Sequence, residues 1–110
     1  MASDAQNALS VAMDRMWTQH LPQLQERVDA LDAAAKAFAA NHLSIEQHEA
    51  ARSAAHNLAG VLGTFGLTRG TVLARELEII YSRQNGPDAD LAASLASIAT
   101  ELRTLINSRK

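Results

Sequence analysis

Of the four histidines in the chain, His20, His42, His48 and His56, the last stands in the most unusual surroundings, because Gly60 follows it by one helical turn and Gly63 by nearly two. Imidazole changes charge near neutral pH, and its ring nitrogen can act as nucleophile, base or metal ligand. On a helix over residues 45–65, steps of about 100° gather Ala51, Ala55, Leu58, Leu62 and Phe65 into a narrow apolar arc. By the same count His56 falls about 140° from the centre of that arc, which points its ring to solvent. Gly60 and Gly63 lie on the His56 side, although each glycine in a helix interior costs about 1 kcal/mol relative to alanine. Bare helix surface beside an exposed imidazole lets another protein's backbone or active-site loop come close. A metal or haem site is the competing chemistry, but successive histidines are separated by 22, 6 and 8 residues, and none of these is the i, i+4 spacing that puts two ligands on one helix face. No metal site is expected.

The elements that must hold this histidine are helical. Residues 4–40 repeat apolar side chains at spacings of three and four through Leu9, Met13, Trp17, Leu21, Leu24, Val28, Leu31 and Ala35. Pro22 interrupts that stretch, so the expectation is either a kink near His20 or a short extra N-terminal helix before a longer one. Ser44 and Gln47 form a capping-box pattern that starts the helix at about residue 45, and Gly66 is the natural stop. Thr68 is a candidate cap for a third helix over 69–83, with Val72, Leu73, Leu77 and Ile80 inward. Asn85, Gly86 and Pro87 end it, and Asp88 is placed to cap a last helix carrying Leu91, Leu95, Ile98, Leu102 and Leu105. Short loops between amphipathic helices predict an all-α, up-down antiparallel four-helix bundle, one domain over 1–110.

Composition agrees. The chain is 47% apolar, rich in alanine and leucine, with Trp17, Phe38, Phe65 and Tyr81 as its aromatics, a balance that favours helix over sheet. A net charge of -2 with no basic stripe argues against nucleic acid as a partner. No run nears the ~20 apolar residues of a membrane span, and the first residues lack a signal-peptide pattern, so a cytoplasmic protein that does not bind membrane is expected. Without cysteine, disulfide scaffolds and thiol catalysis drop out.

The stretch Ala54-Ala55-His56-Asn57-Leu58-Ala59-Gly60-Val61-Leu62-Gly63-Thr64-Phe65-Gly66-Leu67 resembles the phosphoacceptor helix of histidine-containing phosphotransfer domains, and Gly63-Thr64-Phe65-Gly66 is similar to that of chemotaxis histidine kinases. The family pattern is histidine, any residue, an aliphatic, lysine, glycine, and a second glycine further on; the lysine is absent, replaced by Ala59. The resemblance implies that His56 is the phosphoacceptor and that Glu78, on the next helix, orients its imidazole, although Glu78 can instead be solvated or pair with Arg75 or Ser82. It implies a partner-docking face of Arg52, Asn57, Ala59, Gly60, Gly63 and Thr64, with Arg52 and Arg75 as candidates for the missing positive charge. The partners it implies are a response-regulator receiver domain and a histidine kinase. It implies no cofactor on this chain, with the divalent metal on the receiver, no autonomous kinase activity, and a monomer. Two other readings compete: a degenerate bundle that docks a receiver without being phosphorylated, and a plain interaction bundle that packs a partner helix or a second copy on the glycine face.

Overall fold

The four amphipathic stretches form four helices in the computed structural model, which describes residues 2–83 and 89–109, with side chains from residue 5 onward. They are α1 (Ala2–Ala39), α2 (Ile45–Thr64), α3 (Thr68–Tyr81) and α4 (Ala89–Ser108). Each packs on its chain neighbours, and α1 closes the ring against α4, giving an all-α up-down antiparallel bundle. No strand occurs among the described residues. Nor is any described helix long and apolar enough to cross a membrane.

The joints follow local backbone chemistry. Asn41 takes φ 58° after α1, where the amide of His42 donates to the carbonyl of Ala37 and that of Asn41 to Phe38. Gly66 repeats this after α2 with φ 74°, the amide of Leu67 donating to Leu62 and that of Gly66 to Gly63. Both are left-handed caps that satisfy terminal carbonyls, and only glycine or asparagine adopts that conformation at low cost. Ser44 and Gln47 form the reciprocal capping box, each bond 3.0 Å long.

Thr68 departs from its expected role. Leu67 occupies the cap position with no side-chain hydrogen bond, and its carbonyl already accepts from Thr71, which puts Thr68 inside the first turn. The two-residue cap after Phe65 pulls Leu67 against the core and leaves no residue to serve as a polar cap. The third helix also stops at Tyr81 rather than 83. The expected turn at Asn85, Gly86 and Pro87 and the Asp88 cap lie outside the described residues.

In α1, Pro22 does not divide the helix, so the short extra helix is not formed. Pro22 and Thr18, whose carbonyl loses its amide donor, are both exposed, and water can take the place of that bond. The 38 residues of α1 at about 1.5 Å each match the 57 Å long axis of the molecule, while the other helices have 20, 14 and 20 residues. The core therefore begins at Trp17, and Leu9, which continues the same stripe, stays in solvent.

Behind α2 and α3 the core holds Leu24, Val28, Leu31, Leu58, Leu62, Leu73, Leu77, Leu95, Leu102 and Ile106. Val72, expected inward, is 43% exposed, because Leu73 and Leu77 already define the inner edge of this 14-residue helix. Gly70 marks the close crossing of α3 on α2: a Cβ there would stand 2.9 Å from Cδ1 of Leu62. That crossing sets α3 against the outer edge of α2, where His56 stands.

Candidate functional site

The capping box and the left-handed cap at Gly66 fix the two ends of α2, and its alanine and leucine face fixes its rotation. His56 then projects outward, its side chain 68% exposed. Across the α2–α3 seam, Glu78 Oε2 lies 2.7 Å from His56 Nδ1. A carboxylate only accepts, so the proton sits on Nδ1 and donates to Glu78, leaving the lone pair on Nε2. Glu78 is the more enclosed partner at 28%. Of the alternatives the sequence left open for Glu78, pairing with Ser82 or Arg75 is not what forms: the Ser82 hydroxyl donates to the Ile79 carbonyl instead, at 2.7 Å.

The ground beside the imidazole is open at one glycine and partly covered at the other. A Cβ added to Gly60 would meet nothing within 4 Å, whereas one on Gly63 would lie 3.4 Å from Thr71 Oγ1. The same Thr71 hydroxyl donates to the carbonyl of Ala59 at 3.3 Å and so ties α3 to α2 beside the histidine. Thr71 was not singled out from sequence, yet it shares the α3 face of Glu78 at a spacing of seven residues, a signal that periodicity alone offers. Gly63 is therefore exposed surface that borders the α2–α3 seam.

The remaining residues of the expected docking face divide. Asn57 is exposed, and Thr64 is exposed with its hydroxyl spent on the Gly60 carbonyl at 3.1 Å. Ala59 is 5% exposed, so its methyl belongs to the core and offers a partner no surface. Its position, three residues from His56, rotates it back toward α3, which covers it. Arg52 Nη2 is 3.0 Å from Glu49 Oε2 on its own helix. The hydrogen bond and charge of Glu49, followed by the charge of Glu78, raise the Arg52 pKa above its ordinary value, and Arg52 in turn lowers that of Glu49. Arg75 is exposed and makes no hydrogen bond or ion pair among the described residues. Val72 and Ile79 flank it as an exposed apolar shoulder on α3.

The other histidines stand apart from this site. His20 meets the Phe65 ring edge-on at 6.4 Å, His48 Nε2 lies 3.2 Å from the Arg83 carbonyl, and His42 is exposed at the α1–α2 joint. Among the described residues no group of three or more metal-ligating side chains is assembled. The arrangement as a whole is an oriented imidazole with a free Nε2 lone pair, on helix surface that another macromolecule can approach.

Residues 15–108 match the family described as Hpt domain. Protein RcaC of Microchaete diplosiphon is 36% identical over 76 residues, which is 69% of this chain and 12% of RcaC, so the chain spans about an eighth of that relative's length. No solved structure matches.

Proposed function

The chain belongs to the Hpt domain family, and from that membership we propose that His56 is the phosphoryl-carrying residue of a phosphorelay, exchanging the group with the aspartate of a response-regulator receiver domain. The observation that carries this reading is the 2.7 Å bond from Nδ1 to Glu78, which turns an unpaired Nε2 outward beside the open surface at Gly60.

In the forward step the Nε2 lone pair attacks the phosphorus of the receiver's aspartyl phosphate. The Nε2–P bond forms as the P–O bond to aspartate breaks, and the aspartate leaves as a carboxylate. The ring, still protonated on Nδ1, becomes imidazolium-like, and the Glu78 carboxylate stabilises that positive charge. The reverse step regenerates the aspartyl phosphate. Such transfers depend on positioning and charge neutralisation rather than on covalent chemistry by many groups. Here the helix supplies position, and the divalent cation is the receiver's contribution. These residues contain no glycine-rich nucleotide loop, so the phosphoryl group originates with a histidine kinase outside them. The same reading makes the protein a cytoplasmic monomer that engages one receiver at a time.

The test is transfer of label from phosphorylated receivers to wild type and to His56→Gln, with circular dichroism to confirm that both are folded. Label on wild type and none on the variant is the expected result. A wild-type protein that binds receivers and stays unlabelled would instead indicate docking without phosphorylation, a reading that the absence of a cation at Ala59 favours.

A further inference from the structure

We infer that Arg75, reaching across the seam from α3, is the cation that meets the phosphoryl group carried by His56; this deepens the phosphotransfer reading above and rests on it. A phosphoryl group adds roughly two negative charges. Here they arrive on a ring whose other nitrogen is already bonded to a carboxylate, Glu78, at 2.7 Å. Like charges so placed call for a positive group close to Nε2.

Helix α2 does not provide a free one. Its one basic residue is Arg52, held at 3.0 Å by Glu49. The Glu78 carboxylate also acts on Arg52, which stands one turn before His56 on α2. Ala59, where a long basic side chain would have reached the phosphoryl group, is a buried methyl.

Helix α3 has two arginines, and Arg69 is held by Glu101 through contacts of 2.8 and 3.2 Å. Arg75 is left. Its level along the seam follows from its neighbours: Thr71 reaches the Ala59 carbonyl and Glu78 reaches His56. In an antiparallel pair a residue between those two lies alongside the α2 turn that runs on from His56, level with Ala59 and Gly60. Counting about 100° per residue, Thr71, Arg75 and Glu78 fall within an arc of about 60°, so all three share the strip that borders the seam. Arg75 thus stands at the level of the open ground at Gly60, one turn past His56 where Arg52 is one turn before it, and a planar guanidinium fork suits phosphoryl oxygens. The charged groups nearest the imidazole along the seam are Glu49 and Arg52 from α2 and Arg75 and Glu78 from α3.

Phosphoramidate separates this role from receiver docking because it is a small donor that needs no interface. The Nε2–P bond forms, the P–N bond of the donor breaks, and ammonia leaves with a proton. Initial rates of phosphohistidine formation are followed by phosphorus NMR on folded wild type, Arg75→Ala, Arg75→Lys and Arg52→Ala. We expect Arg75→Ala to be slower by about tenfold, Arg75→Lys to recover most of the rate, and Arg52→Ala to lose clearly less than Arg75→Ala. The phosphoryl resonance of Arg75→Ala should also titrate at higher pH than wild type, since a lost cation disfavours the dianion. An Arg75→Ala protein with wild-type rate and titration overturns the inference and leaves His56 as the acceptor. Equal losses in Arg75→Ala and Arg52→Ala overturn the choice of Arg75. Wild type that acquires no phosphoryl group at His56 overturns the phosphotransfer reading itself.

Discussion

Replacing Gly60 by alanine is expected to make the protein more stable and a poorer phosphotransfer partner. A glycine in a helix interior costs about 1 kcal/mol relative to alanine, and the added Cβ at this position would meet no atom within 4 Å, so nothing in the fold opposes that gain. For a domain near this size, ~1 kcal/mol corresponds to a rise in melting temperature of about 4–6 °C. The methyl group would occupy the ground over which a receiver must approach Nε2. Transfer from a phosphorylated receiver should fall by about tenfold, equivalent to ~1.4 kcal/mol, and further in Gly60→Leu. Phosphorylation by phosphoramidate, which needs no docking surface, should be unchanged. Thermal melts followed by circular dichroism, together with parallel rates for the two donors, measure all three quantities. Gly70→Ala provides the contrast, because its Cβ would press to 2.9 Å from Cδ1 of Leu62, a fully buried side chain. Overpacking of about 1–3 kcal/mol outweighs the ~1 kcal/mol helix gain there, and the melting temperature should fall. A Gly60→Ala protein that is more stable and still accepts from receivers at the wild-type rate would refute the docking role of this surface.

Glu78→Ala should slow transfer by roughly tenfold, and Glu78→Gln by less, because the amide oxygen can still accept from Nδ1 while the charge is gone; wild-type initial rates in both would remove Glu78 from the mechanism. Tyr81 carries a buried hydroxyl with no hydrogen-bond partner among the described residues, and burial pushes its pKa up to about 12 from an ordinary 10.0. Because the folded-state value is the higher one, the associated stability is full below pH 10 and lost as pH rises toward about 12. Tyr81→Phe should therefore melt no lower than wild type at neutral pH and show a smaller alkaline loss across that window, as read by melts over a pH series; an equal alkaline loss in both proteins would contradict this.

Much of the architecture was legible in residues that act within one or two turns of themselves. Ser44 with Gln47 and Gly66 after Phe65 are local hydrogen-bonding devices, and the ends of α2 follow from them without reference to the rest of the chain. The outward rotation of His56 is likewise a matter of counting residues on a single helix. Other features depend on how helices meet, and periodicity does not carry that information. Leu9 belongs to the same stripe as Trp17 but stays exposed, since α2, α3 and α4 are too short to reach it. Gly63 counts as an outer-face residue on α2 in isolation, and Ala59 joins the docking face only through the family resemblance; the packing of α3 on α2 buries Ala59 and brings Thr71 beside Gly63. Thr68 reads as a cap from its residue type, yet the compact joint at Gly66 and Leu67 draws it into the helix. The engagement of Arg52 by Glu49 was available as an i, i+3 pair of opposite charge, while the open position of Arg75 depends on where α3 lies against α2.

The most direct test of the account is to locate the phosphoryl group itself. After incubation with a phosphorylated receiver, peptide mass spectrometry under alkaline conditions identifies the modified residue, and heteronuclear NMR correlations identify the nitrogen. The account predicts a single phosphoryl group on Nε2 of His56, with Nδ1 still protonated toward Glu78. Attachment at Nδ1, or at His20, His42 or His48, would contradict it.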